Sequence, residues 1–297
     1  MLAVYKKELR SYLTSMIGYV FIAFILLILG IYFTAYNLQY ASPDFGATLS
    51  AVTFLFLIIT PILTMRILSE EKKNKTDQLL LTAPVPVWKI VMGKYLSMIT
   101  IYLIPVVIVG LYPFIMGRYG TVSYTTTYTA VFGFFLLGCA QIAVGLFLSS
   151  ITESQIIAAV ITFGVLFCSY VMDGISSFFS STSSASFMTF LVISVLIALV
   201  VYQMTKDMIL SSVLGIVLIA VNVVLYIVKS SLYEGLIQKL LDLLSIANHY
   251  DSFVGGILDV SGIIYMLSVI CIFVFLTIQC IQTVSYTHLR AHETLRH

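Results

Sequence analysis

Long apolar runs separated by short polar breaks fill almost the whole of this chain. Solid runs fall at roughly 16–36, 47–65, 95–116, 128–149, 155–178, 187–204, 208–228 and 262–282. About 20 apolar residues in a helix cross the hydrocarbon core of a bilayer, so these runs predict eight membrane-spanning helices. Closed β-barrels also cross membranes, but as weakly alternating segments of about ten residues. The pattern therefore predicts an all-α polytopic membrane helix bundle. The connection Gln203–Asp207 is so short that its two flanking helices must be antiparallel neighbours.

Two further stretches carry helical periodicity without the apolarity of a span. In residues 2–16, Leu2, Tyr5, Leu9, Tyr12, Leu13 and Met16 share one face, while Lys6, Lys7 and Arg10 hold the other. This predicts an interfacial helix lying in the headgroup layer. Within the segment 229–261, Glu234, Gln238, Asp242 and Ser245 form a polar stripe against Leu236, Ile237, Leu240, Leu241 and Leu244. That helix is expected on the outer surface or capping the bundle. Gly117–Tyr128 reads as a plain external connection, and no internal repeat is visible.

Composition agrees with a lipid environment. The chain is 60% hydrophobic with a mean hydropathy of +1.07, and only 9% of it is charged, against about 25% in soluble domains. A net charge of +2 argues against a nucleic-acid partner. Cys139, Cys168, Cys271 and Cys280 all lie in apolar runs without metal or disulfide spacing, so they read as small core hydrophobes. The apolar run after Lys6, Lys7 and Arg10 is too long for a cleavable leader. Residues 284–297 break abruptly from this composition and carry three of the four histidines. They resemble translated sequencing-adaptor read-through, so they are set apart as a non-native tail, and the natural C-terminus is expected to be missing.

Charge orients the chain. With the N-terminus in the cytoplasm, ten basic residues lie inside: Lys6, Lys7, Arg10, Arg66, Lys72, Lys73, Lys75, Lys89, Lys94 and Lys206. Only Arg118, Lys229 and Lys239 then lie outside. The positive-inside rule favours this orientation. It places in the cytoplasm a polar island, residues 66–86, that holds seven of the chain's 28 charged residues.

The island is organised. Pro61 precedes it and is expected to kink the second span. Ser69 can cap a new helix, and the charges of Glu70 and Glu71 suit its positive start. Glu71 and Lys75 stand i,i+4 in the favourable order. Leu79-Leu80-Leu81 supplies an apolar knob, and Thr82-Ala-Pro84-Val-Pro86 ends the helix before Trp88 at the membrane boundary. A short charged helix with an apolar tip suits insertion into a groove on a soluble partner. A solvated loop obeying the charge rule explains the lysines equally well, but not the exposed leucines or the paired glutamates.

Other candidates are weaker. His249 and Asp251, with Asp259 near in sequence, offer an acid/base pair to a membrane enzyme acting on a lipid or glycan, but no third firm metal ligand accompanies them. Ionisable residues inside the spans are almost lacking: Asp173, Glu153 and Asp207 sit near helix ends. The charge relay of an ion-coupled carrier is thus not visible, although an ATP-independent carrier or a scaffold remains open. Gln141 and Asn222 read as helix–helix hydrogen-bonding residues. Gly133, Gly138 and Gly145 on the fourth span offer close helix approach and a subunit contact.

The run Arg66-x-x-x-Glu70-Glu71-Lys72-x-x-x-Thr76-Asp77-x-Leu79-Leu80-x-Thr82-x-Pro84-Val85, followed by Lys89-x-Val91-x-Gly93-Lys94, resembles the cytoplasmic loop of the ABC-2 type permease family. The likeness is nearest to its gliding-motility and copper-processing branch. Lys7-Glu8-Leu9-Arg10 is similar to that family's elbow helix, and His249–Asp259 to the branch's final external segment. The resemblance covers roughly residues 1–178 and 245–283. Family members usually have six spans, so residues 187–228 would be an inserted pair. The resemblance implies a single permease domain over 1–283, with an elbow helix at 1–15 and a coupling loop at 66–89. Glu70, Glu71 and Lys72 would offer charge complementarity to a partner ATPase, Leu79 and Leu80 would be buried against it, Pro84 and Pro86 would set the return angle, and Thr76 and Thr82 belong to the same coupling segment. No phosphate-loop motif occurs in the chain, so ATP and Mg²⁺ would be bound by that separate chain. A second permease subunit, a cell-membrane location and export complete the expectation; the substrate is not revealed, although spans that are apolar and aromatic with few fixed charges suit a lipid-like or amphipathic cargo without requiring one.

Overall fold

The computed structural model describes residues 1–76 and 85–294, which contain helices and no strand. Among the described residues, eight helical segments are long and apolar enough to cross a membrane, from Met16–Gln39 to Val260–Thr283. Their order matches the apolar runs, because in hydrocarbon a helix satisfies its own backbone hydrogen bonds. The chain divides into two compact units, residues 1–168 with 246–297, and residues 169–245.

In the first unit, α1 (Leu2–Thr14) precedes the first span, which runs as α2 (Met16–Tyr32) into a π-helical stretch, Phe33–Gln39. The second span comprises α3 (Phe45–Val52), a 3₁₀ turn at Thr53–Leu55, and α4 (Phe56–Thr64), followed by the short α5 (Ser69–Lys73). Next come α6 (Val87–Val109), α7 (Tyr112–Met116), α8 (Tyr124–Ile151) and α9 (Gln155–Phe178), the last passing into the second unit. The second span's break from α geometry lies at Thr53–Leu55, and α4 continues through Pro61, where a kink is expected.

Helix α8 is the axis of this unit. Its apolar stretch is 78% buried, against 28% for the first span and 22% for the last. Small residues allow that enclosure, since without a hydrophobic drive between helices in lipid close packing must hold them together. A Cβ on Gly133 would lie 2.6 Å from Phe253, one on Gly138 2.4 Å from the Tyr102 ring, and one on Gly145 2.4 Å from Thr64 Oγ1. These three glycines are therefore filled from within the chain, which corrects their reading as a subunit contact. Buried tyrosines complete the packing. The hydroxyls of Tyr250, Tyr102 and Tyr95 donate to the α8 carbonyls of Ala130, Phe134 and Cys139 at 3.2, 2.7 and 3.0 Å. A phenol enclosed in apolar surroundings needs such an acceptor.

At the far end of the first span the i→i+5 bonding of the π-helical stretch widens the turn, and Asn37 falls on the buried face with Leu29 and Phe33. Its Nδ2 donates to Ser42 O at 2.9 Å and Asp44 O at 3.2 Å, and its Oδ1 accepts from Thr48 at 2.7 Å. Asn37→Leu is expected to cost about 1–3 kcal/mol by stranding these groups. A fall in the melting temperature of the detergent-solubilised chain would show it.

In the second unit, α10 (Ser183–Thr205) and α11 (Met208–Val228) pair around a tight turn with Lys206 at φ +52°. Asp207 caps α11 by accepting from Ile209 N and Leu210 N at 2.9 and 3.2 Å. Helix α12 (Leu236–Leu244) forms where the amphipathic pattern predicted it. Leu240, Leu243 and Leu244 are exposed, while Ser245 is fully buried. Gln238 Nε2 donates to Phe179 O at 2.7 Å, because carbonyls at a helix C-terminus lack intrahelical partners. Asn222 is likewise bound to Tyr233, in the turn that follows its own helix, rather than to a facing span.

In the first unit again, α13 (Asp251–Val254) leads to α14 (Val260–Thr294), whose backbone continues past the composition break at residue 284.

Candidate functional site

The island meets the rest of the first unit at the end of the spans where α1 lies. Helix α1 can approach α6 closely because Gly93 has no side chain: a Cβ there would lie 3.1 Å from Met1 O and 3.3 Å from Tyr5 N. Tyr5 bonds Thr100 at 3.0 Å, and Tyr12 donates to Leu63 O at 2.8 Å. Burial pushes the Tyr12 phenol well above its ordinary value, which keeps that donor protonated. The inward face of α1 thus contains Tyr12 and Glu8, both buried, whereas Leu2, Leu13 and Met16 are exposed.

The burial of Glu8 has an electrostatic reason. Lys94, on α6, is fully buried. Its Nζ lies 2.8 Å from Glu71 Oε1 and 3.1 Å from Glu8 Oε1, and donates to Ile67 O at 3.0 Å. An ammonium has three donors and no acceptor, and three acceptor atoms surround this one. Lys7 Nζ closes the cluster at 3.2 Å from Glu71 and 3.4 Å from Glu8. Two carboxylates and two ammoniums balance, which offsets the cost of removing them from water. For Lys7, burial alone would lower the pKa, but the charges of Glu8 and Glu71 outweigh it and raise the value. The Lys7 contribution is therefore complete below the ordinary 10.5 and is lost only as pH rises through the higher folded value.

Three more island charges, Arg66, Glu70 and Lys72, find partners within the chain. Arg66 Nε lies 2.5 Å from Glu70 Oε2, and its Nη2 donates to Ser11 at 3.2 Å. Lys72 Nζ donates to Ser150 O at the end of α8. Ser149 Oγ accepts from Leu68 N and Ser69 N, both at 3.3 Å, and so serves the start of α5. Ser69 therefore does not act as the cap: it is buried and donates to Met65 O. The i,i+4 pairing of Glu71 with Lys75 is also corrected. The helix stops at Lys73, Lys75 takes a positive φ of 56°, and the Glu71 carboxylate is held by Lys94 and Lys7. Between α1 and the island lies a cleft of about 210 Å³, lined by Lys7, Glu8, Arg66, Glu70 and Glu71 among others.

Of the other predicted residues, Lys6 and Arg10 are exposed on α1, and Thr76 bonds Glu71 O at 3.4 Å. Pro86 stands at the N-cap of α6 in an extended conformation, next to the half-exposed Trp88. Asp77, Leu79, Leu80, Thr82 and Pro84 lie outside the described residues. Sequence reading missed the pairing of Glu8 with Lys94; the one available signal was a lone acid beside the apolar face of α1, one turn from Tyr12.

At the opposite end, the His249 ring stacks on Tyr265 with centroids 3.6 Å apart and planes 7° from parallel. Asp259 accepts from Ser261 N and Gly262 N at 2.9 and 3.1 Å and so caps the start of α14. Within α8, Gln141 is buried and its Oε1 has no partner among the described residues, so the expected helix–helix bond to that oxygen is not formed there.

Residues 39–224, more than half of the chain, match the family profile described as ABC-2 family transporter protein. No curated protein is similar enough to the chain to count as a match.

Proposed function

Because the chain belongs to the ABC-2 transporter family, whose members are membrane permeases of ABC transporters, we propose that residues 66–89 are its coupling segment. A separate ABC ATPase docks there, binds the ATP and Mg²⁺, and drives the spans. In this reading the N-terminus and the island face the cytoplasm, the chain sits in the cell membrane, and a second permease subunit completes the pathway. The direction is export, and the protein stands nearest the gliding-motility and copper-processing branch. Lys6, Lys7 and Arg10 hold the elbow helix α1 at the headgroups. Glu70, Lys72 and Thr76 border the docking surface, Leu79, Leu80 and Thr82 enter the partner, and Pro84 and Pro86 set the return into α6.

One observation carries the proposal: the island is bonded to α1, α6 and the end of α8. A solvated loop has no use for such anchoring, whereas a lever that transmits force needs it. The apolar, aromatic character of the spans suits a lipid-like or amphipathic cargo.

The test is co-purification with the ABC ATPase encoded beside the chain. Leu80→Asp is expected to weaken association at least tenfold, because a charge would enter an apolar contact. Retained association and ATP-driven transport in that variant would remove the coupling assignment. Turnover of a lipid or glycan without any ATPase, abolished by His249→Ala, would replace it with an enzyme.

A further inference from the structure

We infer that Lys94 is a positioning residue that fixes the posture of the coupling segment and joins it to both α1 and α6. The inference deepens the proposed function and rests on the coupling assignment for its consequence, though not for its geometry.

The three acceptors around the Lys94 ammonium come from separate places: Glu8 on α1, the Ile67 carbonyl at the end of the second span, and Glu71 on α5. Lys94 is enclosed completely, and water cannot replace an acceptor that moves away. Withdrawing Glu71 alone would leave a buried ammonium short of a partner, and that penalty is large compared with a surface pair. The island, α1 and the start of α6 therefore shift together or not at all. One residue further on, Tyr95 carries the linkage to α8 through Cys139 O, and Tyr102 repeats it at Phe134 O. A push on the island is delivered along α6 to the most enclosed helix of the unit. Movement in discrete steps is what packed, bistable elements produce.

Lys7 adds a way for the cytoplasm to reach this cluster. It touches the same two carboxylates from the side of the cleft, and its side chain is 62% exposed. It neutralises the cluster without enclosing it.

The test uses the full-length permease in lipid nanodiscs, without ATPase, in a background lacking the native cysteines. Spin labels replace the exposed Lys6 and Lys75, and the distance between them is read by pulsed electron resonance. The unsubstituted cluster should give one narrow distribution, and Lys94→Met should at least double its width. If Lys94→Met does not fold, Glu71→Gln, which weakens one contact, should broaden it to a smaller degree. An unchanged distribution in a folded variant overturns the inference. A second measurement adds the ABC ATPase: Lys94→Met should still co-purify with it, while the permease's effect on ATP turnover falls at least fivefold. An ATPase that ignores even the unsubstituted permease would defeat the coupling assignment, leaving the distance result to stand or fall alone.

Discussion

Reversing Glu71 to lysine should cost about 3–5 kcal/mol of stability, the range for breaking a buried ion pair and leaving a charge uncompensated. The substitution would set three ammoniums around Glu8, one of them the fully enclosed Lys94. A neighbouring pair supplies the control. Arg66 and Glu70 are 28% and 36% exposed, so Glu70→Ala should cost less than about 1 kcal/mol. Thermal unfolding in detergent separates the two, since they stand on adjacent residues of one short helix. Equal shifts would mean that the Lys94 cluster is no more enclosed than an ordinary surface pair. The prediction also changes how a docking experiment reads: loss of ATPase binding in Glu71→Lys would reflect the permease's own structure, and Leu80→Asp is the cleaner probe.

Gly138→Val should be comparably damaging for a steric reason. The Tyr102 ring that fills the space beside Gly138 is fully buried and donates to Phe134 O at 2.7 Å. It also stacks on Phe135 at 5.9 Å and meets Phe56 edge-on at 5.7 Å. It has nowhere to move. Overpacking typically costs about 1–3 kcal/mol, and more where neighbours are pinned. The substitution is therefore expected to reduce the yield of monodisperse protein severely. Gly164 is the comparison, because nothing lies within 4 Å of a Cβ built there. Gly164→Ala should leave both yield and melting temperature unchanged. Normal behaviour of Gly138→Val in size-exclusion chromatography would contradict the packing around α8.

Both expectations concern contacts that one-dimensional reading placed wrongly or not at all. The three α8 glycines were legible as sites of close approach, but not for what approaches them. A glycine stripe signals that something comes near, and a partner subunit and a facing span leave the same mark. The island was visible as a charge anomaly, and its expected local bonds, Ser69 as cap and Glu71 with Lys75, followed helix rules that assume an isolated helix. Tertiary partners overrode them: Ser149 supplies the hydroxyl to the start of α5, and Lys94 takes the carboxylate. In the second unit, Gln238 answers a carbonyl at the end of α9 that no periodicity could announce.

What the sequence alone determined is the class and order of the elements. Hydrocarbon admits only segments that satisfy their own backbone, so apolar run lengths translate directly into spans, and the polar island between two of them was evident as a departure. Which charges are anchored, and to what, was decided only by the tertiary structure. Glu8 and Lys94 stand 86 residues apart in the chain and meet because Gly93 lets α1 lie against α6. Proximity of that kind depends on how helix ends align in space, and a pattern read along one dimension does not contain it.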